Sequence, residues 1–396
     1  MNFVFLSPNF PDAYWNFCRG LKKNGVNTLA IGDCPYDKLN PNLKANLNEY
    51  YKVSSLENYD EVYRAFAYLT FKHGRIDWLE SNNEYWLERD SKLRTDFHIT
   101  TGIQSDHIDH IKYKSKMKEY YEKAGVKVAR YHMVTTLEEG KSFIDQVGYP
   151  VVVKPDNGVG ASTTFKLSNE EELNNFYAKK QETQFIMEEF VDGELFSYDG
   201  IAGKDREIIF ETAHYYPDPV MEIVNDQKDV WFYSLKEIPK ELKEAGQKVI
   251  ASFESNSRFF HTEYFRLKKD KEGLGKKGDF IGLEVNMRPP GGCIPDMINY
   301  ANDIDIYQIW ADMVCKNHSD FNKDHRPYCC VYAGRRDSHT YLHSHEEIMK
   351  NYQKEERMIY DLPPVFATAM GNRAYIMCFE NQEDAISFAH YALTTK

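Results

Sequence analysis

The segment Glu284-Val285-Asn286-Met287-Arg288 places a carboxylate, a carboxamide and a guanidinium at positions i, i+2 and i+4. Alternate side chains of a strand share a face, so these three point one way and Val285 and Met287 the other. Glu284 and Asn286 offer hard oxygen ligands of the kind Mg²⁺ takes. Arg288 can hold a phosphate or a developing oxyanion through its planar fork. A solvated strand face also accounts for three alternating polar residues, so the chemistry must be argued from other segments as well. His261-Thr262-Glu263 lies on the strand expected just before. If the two strands pair, Glu263 faces Glu284. Two such carboxylates repel unless a cation is shared between them.

Two further stretches carry chemistry. Lys154-Pro155-Asp156-Asn157-Gly158-Val159-Gly160-Ala161-Ser162 is a lysine followed by a glycine-containing loop. Its backbone N–H groups can cradle a phosphate while Lys154 adds charge. It lacks the Gly-Lys-[Ser/Thr] of a P-loop, and a strand is expected next; a plain hairpin remains open. Glu188-Glu189-Phe190-Val191-Asp192-Gly193-Glu194 brackets an apolar pair with acids. Extended backbone there can meet a purine edge, and Glu194 can accept from ribose hydroxyls; an acidic surface turn fits equally. Gly273-Leu274-Gly275-Lys276-Lys277-Gly278 reads as an exposed hairpin tip. His339, His343 and His345 have ligand-like spacing, but Ser344 followed by Glu347 reads as a helix cap.

These residues need a scaffold. Residues 2–6 read as a strand, with Asp12 capping a helix that carries Tyr14, Phe17, Cys18 and Leu21. Gly25 stops it and 26–31 is the next strand, the start of a doubly wound sheet. Ser7-Pro8-Asn9-Phe10-Pro11 follows the first strand where a dinucleotide fold has glycines. The polar run Glu80–Glu84 lies at the carboxyl edge of a strand near Ile76–Leu79. A helix from Lys114 stops at Gly125. Thr136 with Glu139, and Ser168 with Glu171, read as helix caps. A long helix is expected over 240–256 and strands over 258–267 and 280–288, joined by the Lys- and Gly-rich segment 268–279. After residue 320 comes a smaller mixed segment with strands near 328–333 and 374–379.

Composition narrows the partners. The 396-residue chain is 42% hydrophobic and 28% charged, with a net charge of −12. That balance argues for a globular protein and against nucleic acid or an anionic membrane as partner. No apolar stretch approaches the length of a membrane span and the N-terminus lacks a basic leader, so a cytoplasmic location is expected. The seven cysteines form no Cys-x-x-Cys pair and read as reduced thiols.

The pieces and their order resemble the ATP-grasp superfamily across about residues 1–320. The nearest branches are similar to L-amino-acid ligases and to half-length relatives of carbamoyl-phosphate synthase and biotin carboxylase. The resemblance implies an α/β (α+β grasp) architecture: an open α/β domain over 1–111, a grasp domain over 112–320 in two lobes divided at 190/191, and a C-terminal α+β segment over 321–396. It implies that Lys114 and Lys154 hold ATP phosphates and that Gly158, Gly160 and Ser162 lie in the loop closing over them. Glu188, Glu189 and Val191 would form the adenine hinge and Glu194 would hold the ribose. Glu263, Glu284 and Asn286 would bind Mg²⁺ (Mn²⁺ as an alternative), and Arg288 would steady an acyl phosphate. The implied activity is carboxylate–amine ligation with release of ADP and phosphate, on small-molecule substrates; homodimers are common in the resembled family, and the assembly state is left open. Carboxyphosphate chemistry on bicarbonate and a non-catalytic ATP-binding regulator are the alternatives. The chain departs from many relatives in the length of the 268–279 insertion between Glu263 and Glu284.

Overall fold

The computed structural model describes residues 1–158, 163–179 and 181–396. Among the described residues sixteen strands form three sheets. The first is parallel, in the order β3-β2-β1-β4, from β1 (Asn2–Leu6), β2 (Asn27–Gly32), β3 (Glu49–Lys52) and β4 (Trp78–Glu80). Strands β1, β2 and β4 are short runs buried on both faces, as parallel sheets require, while the edge strand β3 is polar and only partly buried. Asp12 does not cap the first helix. It opens a 3₁₀ turn, Asp12–Tyr14, that runs into helix Trp15–Lys23. The preceding Pro11 supplies the fixed φ, so no side-chain cap is needed.

The second sheet has the order β5-β8-β6-β7, from β5 (Tyr131–Met133), β6 (Val151–Pro155), β7 (Phe165–Leu167) and β8 (Phe185–Glu189). Helices Leu137–Val147 and Glu170–Ala178 cover it, and the core is its own, built on Phe143, Val151, Val153, Leu173 and Phe176. Thr136 caps the first helix. The second is capped by Asn169, which accepts from the Glu172 N–H, one position later than Ser168.

The third sheet has eight strands in the order β13-β12-β9-β10-β11-β14-β16-β15. They are β9 (Gly193–Ala202), β10 (Ile208–Tyr216), β11 (Val230–Ser234), β12 (Arg258–Leu267), β13 (Phe280–Asn286), β14 (Cys329–Arg335), β15 (Glu356–Asp361) and β16 (Arg373–Phe379). The segment after residue 320, expected as a unit apart, thus extends the same sheet, with β14 pairing β11. Cys329 and Cys330 are buried in that strand and all seven cysteines are free. Ser344 forms the expected capping box with Glu347, His343 stacks on Tyr391, and His339 meets Asp229. His345 lies 3.1 Å from the Tyr375 hydroxyl, so each of the three histidines has a protein partner. One apolar cluster runs from Phe3, Phe5 and Phe17 through Trp310 and Tyr307 to Phe259 and Tyr332, which locks the first sheet to the third. No helix among the described residues is long and apolar enough to cross a membrane.

Candidate active site

The second and third sheets face each other across a cleft of about 400 Å³, a size that suits a small-molecule ligand. Helix Lys114–Lys123 positions one wall. Its first N–H donates to the Asp156 carbonyl at 2.9 Å and the Ser115 N–H to the Asp156 carboxylate at 2.8 Å, which ties the helix to the loop after β6. Its Tyr121 hydroxyl donates to the carbonyls of Glu263 and Glu284 at 3.2 and 2.8 Å. That ring lies against Gly282, where a Cβ would come within 2.3 Å of it; only glycine lets the helix approach so closely. Lys114 Nζ donates to the Gly158 carbonyl at 3.2 Å and lies 3.7 Å from Glu284. Gly160 and Ser162 fall outside the described residues.

One turn after Lys114, Lys118 meets Glu188 at 3.0 Å, and Lys154 meets the other oxygen of Glu188 at 3.0 Å. All three are buried. Burial opposes the charge on Glu188, but Lys118 and Lys154 outweigh it and hold its carboxyl at about 2. Lys154 is raised despite burial, because Glu188 and Glu284 are near. Glu188 therefore anchors two lysines, in place of the expected contact with a base.

Glu189 is likewise occupied. Arg130 grips both its oxygens, at 3.1 and 2.7 Å, and Lys271 lies 3.0 Å away. Its side chain is committed to these cations, which leaves the backbone of 189–193 to face the cleft. Val191 is buried beside Ala129, Leu267, Leu274 and Ile281. Glu194 is not on the cleft. It pairs with Arg266 at 2.6 Å, while its neighbour Leu195 lines the wall. Strand alternation explains this, since residues 194 and 195 must point to opposite faces.

On the other wall, β12 and β13 set Glu263 directly opposite Glu284. Burial raises the Glu284 carboxyl; Lys114 works against this, and Glu263 adds to it. His261 Nε2 lies 3.4 Å from Glu263, and its Nδ1 contacts the fully buried Asp199, which also holds His214 at 2.8 Å. Burial disfavours the His261 imidazolium, but Asp199 and Glu263 overcome that and raise its pKa to about 10. Among the described residues no three His, Cys, Asp or Glu side chains converge as a metal cluster. The two facing carboxylates are short of positive charge, and with the Asn286 amide they make the oxygen set that fits a hard divalent cation.

Arg288 follows the end of β13 and lines the cleft with Glu284 and Asn286. Its partner is Glu84, which the sequence reading left unassigned. Arg288 donates to Glu84 at 3.0 and 2.5 Å. With its amide turned, Asn286 also donates to Glu84, at 2.7 Å. Burial opposes the charge on Glu84, and Arg288 with Lys112 and Lys114 holds its carboxyl below the usual range regardless. Arg258 fixes this corner: it donates to the Met287 carbonyl at 2.7 Å and meets Glu80 at 3.3 Å. The only hint in the sequence is that polar run at a strand's carboxyl edge.

Comparison with known proteins gives similarities for parts of the chain. Residues 111–250 match the ATP-grasp domain family. Among characterised proteins it is similar to an L-arginine-specific L-amino acid ligase of Bacillus subtilis, 25% identical over 60% of this chain and 57% of that protein. It is also similar to an alanine–anticapsin ligase of Bacillus subtilis (strain 168), 26% identical over 63% and 55%. The chain thus spans little more than half the length of these relatives. The fold matches an L-amino acid ligase structure from Bacillus licheniformis with a TM-score of 0.74 at 14% identity, over 98% of this chain and 96% of that one. It matches N5-carboxyaminoimidazole synthetase from Staphylococcus aureus with a TM-score of 0.71 at 15% identity, over 99% and 97%.

Proposed function

We propose that this protein joins a carboxylate to an amine at the expense of ATP, releasing ADP and phosphate. The observation that carries the proposal is the pairing of walls: Lys114 and Lys154 on one side, and Glu263, Glu284, Asn286 and Arg288 on the other, around one cleft with an apolar end at Val191. Lysines and an arginine converge where a triphosphate would lie, and the carboxylates supply oxygens for the cation that accompanies it. Mg²⁺, or Mn²⁺ in its place, would be held by Glu263, Glu284 and Asn286 and would neutralise charge on the phosphate oxygens.

In this reading a carboxylate oxygen of the substrate attacks the terminal phosphorus, and the bond to ADP breaks. Lys114 and Lys154 hold the phosphates in line, and Arg288 draws charge from the acyl phosphate. The neutral amine attacks the acyl carbon, phosphate leaves with the electron pair of the broken C–O bond, and the nitrogen gives up its extra proton to that phosphate. No side chain needs to act as nucleophile. The role of Glu84 is to orient Arg288, from whose Nε and Nη2 it accepts.

An ADP-release screen over amino acids, other small carboxylates and bicarbonate, with Mg²⁺, tests this. Release that requires both a carboxylate and an amine is expected. Release with bicarbonate alone would shift the assignment to carboxyphosphate chemistry. Absence of nucleotide binding by calorimetry at millimolar ATP would remove it.

A further inference from the structure

Most of the insertion 268–279 is exposed, as its composition suggests, yet it is anchored to the body of the protein. Leu274 is buried against Val191 and Ala129, and the Lys268 N–H donates to the Asp192 carbonyl at 3.2 Å. Gly273, at φ +77°, turns the chain beside Arg130. The segment therefore straps the third sheet across the back of the 189–192 connection, the short run of chain that joins β8 to β9. At its centre Lys271 Nζ donates to the Phe190 carbonyl at 2.6 Å and meets the Glu189 carboxylate at 3.0 Å.

The Phe190 carbonyl and the Val191 N–H belong to one peptide unit. That bond is trans, so the two groups point in opposite directions. The carbonyl faces the strap, which leaves the N–H directed away from it. Among the described residues the Val191 N–H has no hydrogen-bond partner, while Phe190 to Gly193 line the cleft. An ammonium on the carbonyl polarises the peptide and strengthens its N–H as a donor.

We infer that Lys271 is a positioning residue for base selection: it aims and polarises the Phe190–Val191 peptide so that the Val191 N–H reads a ring nitrogen that accepts a hydrogen bond. An adenine-type edge offers such an acceptor beside an exocyclic amine. A guanine-type edge presents a ring N–H there and meets donor with donor. Arg130 shares the Glu189 carboxylate, so Lys271 is left to act on the carbonyl. This inference rests on the proposed nucleotide site, and its test separates the two.

The test measures binding of a non-hydrolysable ATP analogue, the matching GTP analogue and inorganic tripolyphosphate to wild type, Lys271→Met, Lys271→Gln and Lys271→Arg. Lys271→Met should weaken the ATP analogue by about tenfold and narrow its preference over the GTP analogue, with tripolyphosphate unchanged. Lys271→Gln, which keeps a neutral donor and serves if the Met variant does not fold, should fall between. Lys271→Arg should restore most of the preference. A wild-type preference retained in the Met and Gln variants overturns the inference, as does equal weakening of tripolyphosphate, which would mean general distortion of the cleft. Failure of wild type to bind any nucleotide overturns the functional proposal instead.

Discussion

The two walls of the cleft treat their acids in opposite ways. On the hinge wall Glu188 and Glu189 are surrounded by four cations: Lys118 and Lys154 for the first, Arg130 and Lys271 for the second. On the facing wall, among the described residues, the cations within 4 Å of Glu263 and Glu284 are Lys114 at 3.7 Å and His261 at 3.4 Å, and His261 is shared with the buried Asp199. The first wall is electrostatically complete in the protein alone and holds its lysines in place before any ligand arrives. The second is one cation short. A buried ion pair is rigid because losing either partner strands a charge; an unbalanced pair of acids is stable only with something added. Preorganisation and binding capacity are thus divided between β8, which carries both Glu188 and Glu189, and the β12–β13 pair, which carries one glutamate on each strand.

The largest expected effect is on the completed wall. Glu188→Gln strands Lys118 and Lys154 in the interior, and the cost should be about 3–5 kcal/mol of stability. The pH dependence follows. The Glu188 carboxyl is depressed to about 2 in the folded state, against about 4.3 in an unfolded chain. Its stabilisation is complete above the unfolded value and lost as pH falls toward the folded one. Chemical denaturation from pH 7 to pH 3 should therefore bring wild type and variant closer together. Parallel curves would mean that the lysines do not depend on this acid.

Next is Arg288, which belongs to the open wall but is oriented by a partner of its own. Arg288→Ala should lower kcat by about 10²–10³-fold with a substrate pair found by the ADP-release screen. ATP binding should change little, since the arginine contributes where charge develops. Arg288→Lys should rescue poorly, because an ammonium cannot fill both Glu84 and the reacting group. Near-normal kcat in Arg288→Ala would make the residue structural.

The open wall itself should respond with the opposite sign from the hinge. The Glu284 carboxyl is raised by burial and by Glu263. A raised acid contributes stability that is present below its unfolded pKa and declines as pH rises toward the folded one. Glu284→Gln mimics the protonated form, so at neutral pH the metal-free variant should melt no lower than wild type. The melting shift on adding Mg²⁺ with nucleotide should shrink in the variant and return partly at higher Mg²⁺. A metal-free variant as destabilised as Glu188→Gln would erase the distinction between the walls.

Much of this was legible in the sequence because it follows local periodicity. The alternation of 284, 286 and 288 places three polar side chains on one face, and the hairpin of β12 and β13 puts Glu263 opposite Glu284. What was not legible depends on chain segments distant in sequence. Glu84 reaches Arg288 from the turn that follows β4, 204 residues away. Lys118 carried a local signal that went unused: it lies four positions after Lys114, on the same helix face. The insertion is exposed as its polar composition suggests, but that composition hides a single buried leucine and one lysine with a specific carbonyl to reach. The C-terminal strands could not be assigned to the large sheet from pattern alone, since alternation fixes a strand's faces but not its neighbours.

Glu194 should give the smallest effect, and it tests the logic of alternation. Its position beside the hinge suggests a ribose contact, but its side chain lies on the face opposite Leu195 and pairs with Arg266, both partly exposed. Such a pair contributes about 0–1 kcal/mol in water. Glu194→Gln should therefore shift stability by no more than that and leave the affinity for an ATP analogue within about twofold, a difference of under half a kcal/mol. A ribose contact would lose several-fold affinity on the same change, and the loss would vanish with a nucleotide lacking both ribose hydroxyls. Calorimetry with the two analogues decides between them. If Glu194→Gln weakens the hydroxyl-bearing analogue alone, strand β9 must present its acid to the cleft when nucleotide is bound, and the register that places Leu195 on that wall is wrong.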